Sequence, residues 1–219
     1  MRRRPVITID GPSGAGKSTV AKLLALALGY QYIDTGAMYR AVAYAYFGKE
    51  QRPDLERFLR SLSLRFVFGS ATQVYLNGEE ISQKIRTPEI SLRASALSQD
   101  SRVRAYLTKM QREMGKEGGV VLEGRDTGSV VFPDAEVKFY LDADVYERAR
   151  RRQHELSGQT AENDLERVKE EIEKRDKDDS EREIAPLVQP QGAHYVDTTR
   201  LDIEGVVETL KKYVEQVLR

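Results

Sequence analysis

Short apolar runs in this chain alternate with longer stretches whose apolar residues recur every three or four positions, the pattern of strands and helices taking turns. Val6-Ile7-Thr8-Ile9 is a β-branched run of buried-strand type. Val20, Leu23, Leu24, Ala27 and Leu28 then repeat at helical spacing, so a helix with one inward stripe follows. Tyr30-Gln31-Tyr32-Ile33-Asp34 reads as a second strand, and Thr35-Gly36 opens a helix reaching about Phe47, with Gly48 closing it. After Pro53-Asp54, a short helix uses Leu55, Phe58, Leu59 and Leu62.

The period then changes. Leu64, Phe66 and Phe68 alternate with Arg65 and Val67, and Asn77-Gly78 separates Val74-Tyr75-Leu76 from Glu79-Glu80-Ile81. Asn-Gly between two such runs is the strongest short-range hairpin signal. Residues from about 63 to 85 are therefore expected as an insertion holding a small antiparallel sheet. Thr87-Pro88-Glu89 marks a helix start, with Thr as cap and Pro at the first helical position. A further helix from about Ser101 carries Val103, Leu107, Met110 and Met114 on one face and stops at Gly118-Gly119.

Val120-Val121-Leu122 is a core strand leading into Glu123-Gly124-Arg125-Asp126, and Lys138-Phe139-Tyr140-Leu141 is another. A helix from Asp144 takes in Arg148, Arg150, Arg151 and Arg152; Ser157-Gly158-Gln159-Thr160 breaks it, and a highly charged helix spans about 161 to 182. His194-Tyr195-Val196 is the last strand, and the final helix buries Ile203, Val206, Val207, Leu210, Val214 and Val217. Four or five buried strands separated by helices predict an α/β fold: a parallel sheet core with helices on both faces. Ligands bind such sheets at the carboxyl ends of the strands.

The chemistry is concentrated after the first strand. Gly11-Pro12-Ser13-Gly14-Ala15-Gly16-Lys17-Ser18-Thr19 fits G-x-x-x-x-G-K-[ST], with a strand before it and a helix after it. Its glycines let the backbone bend tightly and approach a ligand without a Cβ in the way. The N–H groups at the helix start point at an anion, aided by the helix dipole. Lys17 adds a point charge for the β- and γ-phosphates, and the Ser18 hydroxyl can sit on Mg²⁺.

A phosphate loop leaves the reaction open, since GTPases, ATPase motors and small-molecule kinases all use one. No Asn-Lys-x-Asp segment for reading guanine is present, and 219 residues leave little room for motor modules. The basic residues Arg40, Arg86, Arg104, Arg125, Arg148–Arg152, Arg175 and Arg182 are spread over separate segments. Several follow strand ends or lie near glycines, where side chains can converge on a second anion, as phosphoryl transfer between two polyanions requires.

Composition narrows the field a little. Lys+Arg and Asp+Glu both number 35, so no long-range field gathers nucleic acid. The absence of cysteine excludes disulfides, thiolate metal sites and cysteine nucleophiles. Arg2-Arg3-Arg4 resembles the start of a signal peptide, but the phosphate loop follows at once and no cleavable apolar stretch intervenes. No apolar run nears the roughly 20 residues of a membrane span. A soluble cytoplasmic protein is expected.

Taken together, these motifs resemble those of the bacterial cytidylate kinases, of the nucleoside-monophosphate kinase fold. The resemblance runs from Val6 to the last helix. It rests on Ile9-Asp10 with the phosphate loop, on Asp34-Thr35-Gly36-Ala37-Met38-Tyr39-Arg40 and on Arg86-Thr87-Pro88-Glu89. It also rests on Glu123-Gly124-Arg125-Asp126-Thr127-Gly128, Val131-Phe132-Pro133-Asp134-Ala135, and Arg175-Asp176 through Ala185-Pro186-Leu187.

The resemblance implies a single P-loop kinase domain over residues 1–219 with three parts. The core is about 1–34, 100–147 and 183–219; the monophosphate-binding region is about 35–99; the lid and its arm are about 148–182. It implies that Ser95, Arg104 and Asp126 read the cytosine edge, with the carboxylate accepting from the exocyclic amine. Thr35, Arg175 and Asp179 would lie near the ribose, Thr35 standing where family members often carry serine. Arg40, Arg125 and Arg182 would hold the monophosphate through forked guanidinium contacts. Arg148, Arg151 and Arg152 would come from the lid onto the transferring phosphates, alongside Lys17; the alternative for that cluster is salt bridging to the acidic helix that follows.

The implied reaction is in-line transfer of the γ-phosphoryl of ATP to CMP or dCMP with Mg²⁺, by a monomer binding neither nucleic acid nor membrane. Asp34 is open as a holder of the Mg²⁺ water shell. A kinase for another acceptor, such as UMP or shikimate, and a nucleotide-dependent binding switch are the competing readings.

Overall fold

A computed structural model describes residues 4–49, 51, 53–67, 72–156 and 165–218. Five parallel strands form the central sheet: β1 (Val6–Asp10), β2 (Gln31–Asp34), β6 (Val120–Gly124), β7 (Val137–Asp142) and β8 (His194–Asp197), in the order β2-β6-β1-β7-β8. Their register runs from Val6 opposite Val120 to Asp10 opposite Gly124, so β1 and β6 end level, and the loops that follow them lie side by side.

Both faces are covered, as parallel strands demand. Ile7, Ile9, Val121, Phe139 and Leu141 meet α1 (Lys17–Leu28) and α8 (Ile203–Val217) on one side. Val6, Ile33, Val120 and Leu122 meet α2 (Thr35–Phe47), α3 (Leu55–Ser61) and α5 (Ser101–Gly115) on the other. The stripe of α1 differs from the expected one. Val20, Ala21, Leu24 and Ala25 are buried, whereas Leu23 and Ala27 are exposed, because α1 lies close enough to the sheet for alanines to make the contact. Likewise α8 buries Val206, Leu210 and Val214 but leaves Ile203 and Val217 at its exposed ends.

The inserted sheet is present: β3 (Leu64–Val67), β4 (Gln73–Leu76) and β5 (Glu79–Glu80) are antiparallel. Asn77 and Gly78 both have positive φ (51° and 88°), the type I′ geometry that matches strand twist in a two-residue turn. Val74 and Ile81 bury against Ala37 and Ala41 of α2 and Ile90 of α4 (Pro88–Leu97), which ties the small sheet to the main body. The Thr87 hydroxyl accepts from the Ile90 N–H at 3.2 Å, the expected cap. α6 (Val145–Leu156) and α7 (Leu165–Glu181) form a pair around Ala149, Val168 and Ile172. The expected break at 157–160, the expected first helical residues 161–164, Phe68 and residues 1–3 lie outside the described residues. Among the described residues no helix is long and apolar enough to cross a membrane.

One element has no counterpart in the sequence reading. Thr127–Val131 forms a π-helical turn directly after β6, with the Asp126 carbonyl accepting from the Val131 N–H at 3.1 Å and Thr127 O from Phe132 N at 2.8 Å. Such turns are rare and recur at functional sites.

Candidate active site

The loop between β1 and α1 needs its glycines. Gly11 has φ 146°, and a Cβ there would lie 1.9 Å from the Leu141 carbonyl oxygen. Gly14 has φ 77°, and its Cβ would lie 2.8 Å from the Arg148 carbonyl oxygen. Lys17 opens α1 and is almost wholly buried, its Nζ donating to the Pro12 carbonyl at 2.5 Å. Burial, with the Arg125 guanidinium nearby, pulls its ammonium well below the usual lysine range. An ammonium held so is short of partners, and a polyanion would supply them.

Across from the loop, the end of β6 contributes Glu123. Its carboxylate accepts from Ser18 Oγ at 2.9 Å, and its carbonyl from Thr35 Oγ1 at 2.7 Å. Burial, then Asp34, pushes the Glu123 carboxyl up. Asp34 caps α2, accepting from the Ala37 N–H at 2.7 Å, while its second oxygen pairs with Arg40 at 3.1 Å.

A cleft of about 200 Å³ opens between the loop, α2, α4, the end of β6 and α7. Ser13, Gly14, Gly16, Lys17, Ser18 and Thr19 line it on the loop side. Thr35, Arg40, Ser95, Arg104, Arg125, Asp126, Arg175, Asp179 and Arg182 line it opposite, so every residue expected to bind the acceptor reaches one cavity. Gly11, Pro12 and Ala15 shape the loop without lining the cleft.

The side of the cleft opposite the loop is a lattice of charges. Arg104 pairs with Asp126, Arg125 Nε donates to Asp179 at 2.9 Å, and Arg182 lies 3.4 Å from Asp179 and 3.8 Å from Asp126. The positive groups are under-satisfied. Arg40 Nε, Arg175 Nε and Arg182 Nη2 are buried with no hydrogen-bond partner in the structure. Burial, then Arg125, lowers Arg175 to about 10; burial, then Arg104, lowers Arg182. Buried guanidinium N–H groups left without a hydrogen-bond partner, on cations that lie close to one another, are costly, and an anion between them removes that cost.

The three arginines expected from the lid divide. Arg152 lines the cleft. Arg148 does not: it is buried behind the loop, donating to the carbonyls of Ser13 (2.9 Å) and Ala143 (3.0 Å) and pairing with Asp176 of α7. Arg151 also points away, donating to Thr198 Oγ1 at 2.9 Å and to the Thr198 carbonyl at 2.7 Å, and pairing with Glu147 at 3.0 Å. Among the described residues, the alternative of pairing to the acidic helix is met by Arg148, through Asp176.

Three carboxylates, present in the motifs but given no role by them, stand at or behind the site. Glu123 is a charged residue next to the end of an otherwise apolar strand that finishes level with β1, and that position was its signal. Asp176 accepts from the Ser13 N–H at 2.9 Å, so α7 touches the phosphate loop itself, which nothing in the local sequence reveals. Asp10, buried at the end of β1, holds the turn after β6. His154 is exposed and His194 stacks on Tyr213 at 4.3 Å, so neither faces the cleft.

A phosphate loop at the carboxyl edge of this parallel sheet, facing an arginine-lined cleft, defines a P-loop kinase. A shikimate kinase from Bacteroides thetaiotaomicron shares the fold, with a TM-score of 0.51 and 15% identity over 96% of this chain and 98% of its own. Residues 7–216 match the cytidylate kinase family. Curated cytidylate kinases from an Exiguobacterium species and from Bacillus cereus are 45% and 46% identical over 99% of both chains. The chain belongs to the cytidylate kinase family and is a nucleoside-monophosphate kinase, a phosphotransferase.

Proposed function

We propose that the chain transfers the γ-phosphoryl group of ATP to CMP or dCMP, giving ADP and CDP or dCDP. The observation that carries this reading is the set of buried guanidinium N–H groups of Arg40, Arg175 and Arg182, left without partners in a cleft that the Lys17 loop closes on its other side. In the transfer, an oxygen of the acceptor's α-phosphate forms a bond to the γ-phosphorus as the bond from that phosphorus to the β-bridging oxygen breaks. The attacking oxygen is already anionic, so no general base is needed. Catalysis then consists of alignment and offsetting of charge.

Lys17 and the N–H groups of the loop grip the donor's β- and γ-phosphates. Arg40, Arg125 and Arg182 hold the acceptor phosphate. Asp126, oriented by Arg104, accepts from the cytosine amine, with Ser95 beside it; Thr35, Arg175 and Asp179 face the sugar. Arg152 is the lid arginine aimed at the transferring phosphates. Arg148 and Arg151, expected beside it, instead fix α6 to the loop and to Thr198, and they act by positioning. The lid and the region around the small sheet close over both nucleotides and keep water from the γ-phosphorus.

The oxygen-only donors Ser18 Oγ and the Glu123 carboxylate, 2.9 Å apart, fit a hard divalent cation. They would hold Mg²⁺, which neutralises charge on the β- and γ-phosphates when bound. Turnover of CMP, dCMP, UMP, AMP and shikimate with ATP tests the proposal. CMP and dCMP should be the best acceptors, and UMP outrunning CMP would overturn the base assignment.

A further inference from the structure

We propose that Asp10 is a positioning residue for acceptor recognition: from the end of β1, its carboxylate sets the shape of the turn that presents Arg125 and Asp126 to the cleft. The inference rests on Asp126 being the group that reads the base. Asp10 itself does not line the cleft, and its side chain is wholly buried. Oδ1 accepts from Thr127 N and Thr127 Oγ1, both at 2.8 Å, and Oδ2 accepts from Gly128 N at 2.7 Å. Three donors from two successive residues therefore converge on one carboxylate, and all three belong to the turn immediately after Asp126.

That turn needs an external clamp. It is π-helical, a wide and poorly bonded geometry that does not hold itself in isolation. Asp126 precedes it with φ −143° and ψ 20°, and its side chain makes no capping bond to it. The Asp126 carboxylate is thereby left to Arg104 and Arg182, facing the cleft. The backbone donors it would otherwise cap are satisfied by Asp10 instead. The turn is also pressed against β1: a Cβ on Gly128 would stand 2.6 Å from Thr8 Oγ1 and 3.1 Å from Pro190. With β1 rigid in the sheet centre, any slack in the Asp10 bonds appears as displacement of Arg125 and Asp126, two and one residues upstream of the clamp.

The geometry separates this role from support of the phosphate loop. Asp10 adjoins Gly11 in the chain, yet its three bonds go to the acceptor side. Loss of the carboxylate therefore weakens acceptor binding and base discrimination while donor binding stays.

Steady-state kinetics on the full chain test this with Asp10→Asn, Thr127→Val and Thr127→Ser. Asp10→Asn places an amide donor against an N–H donor and should raise KM for CMP about ten-fold, with KM for ATP changed by less than about two-fold. Its preference for CMP over UMP should fall by a similar factor. Thr127→Val removes one donor, is milder to the fold, and should shift the same two quantities in the same direction; Thr127→Ser restores the hydroxyl and should return them to the starting values. A folded Asp10→Asn with unchanged KM for CMP and unchanged preference overturns the inference, as does an equal rise in both KM values. If Asp10→Asn does not fold, the Val and Ser pair decides on the same criteria. Asp126→Ala is run alongside. If it erases the CMP preference and Asp10→Asn does not, the positioning role falls while the base assignment stands. If Asp126→Ala leaves the preference intact, the base assignment falls and takes this inference with it.

Discussion

Lys17 carries its charge where charge is expensive. Its ammonium is buried, pulled down by desolvation and bonded to a loop carbonyl at 2.5 Å. Lys17→Ala should therefore cost at least about 100-fold in kcat while leaving the melting temperature unchanged or raised, since a buried charge costs stability unless it is paired. Activity and thermal melting measured on the same preparation check both halves. Asp10 gives a prediction in pH. Burial pushes its carboxyl from 3.8 to about 6, so the folded chain holds this proton more tightly than the unfolded chain. Its contribution to stability is full below the unfolded value and is lost as pH rises through about 6. Denaturant melts should show a fall on the order of 3 kcal/mol across that window, and Asp10→Asn should remove it.

At the scale of elements, the α6–α7 pair is held by a small cluster of Ala149, Val168 and Ile172, separate from the two large cores on the sheet faces. Ile172→Ala should cost about 2–4 kcal/mol locally. Hydrogen exchange should then show lost protection through α6 and α7 while β1, β6 and β7 keep theirs; an equal loss everywhere would show that the pair unfolds only with the whole. What the sequence revealed at this scale depended on how local the cause was. The strands were legible because each is a continuous apolar run, and the hairpin because Asn77-Gly78 alone sets its turn. The stripe of α1 was misplaced because Ala21 and Ala25 carry little hydrophobic signal, although they lie against the sheet. The π-helical turn was invisible because its shape is imposed by Asp10, more than a hundred residues earlier. Four residues apart on α6, Arg148 and Arg152 share a face by helical spacing, but spacing does not say that Asp176 pairs with one of them. The acceptor residues, by contrast, were read by resemblance, and all of them converge on the cleft.

At the scale of the molecule, the cleft holds more positive groups than its own carboxylates satisfy. Binding of CMP alone, before any donor, should stabilise the fold. At a concentration about 100 times Kd the gain is about 2.7 kcal/mol, or roughly 5–10 °C in melting temperature for a chain of this size. Thermal melts with CMP and with cytidine separate the two halves of the ligand. The nucleoside, lacking the phosphate, should give a small fraction of the shift, and an equal shift from both would deny that the arginines seek a phosphate.

One turn of α7 carries Arg175, Asp176 and Asp179. The first and last line the cleft where we propose the acceptor binds, and the middle one accepts from the Ser13 N–H of the phosphate loop. Sequence drift in that turn can never be private to one nucleotide. If the proposed roles hold, a lineage altering which sugar it accepts through this helix disturbs its hold on the triphosphate at the same stroke, so such change calls for repair on the other side of the cleft.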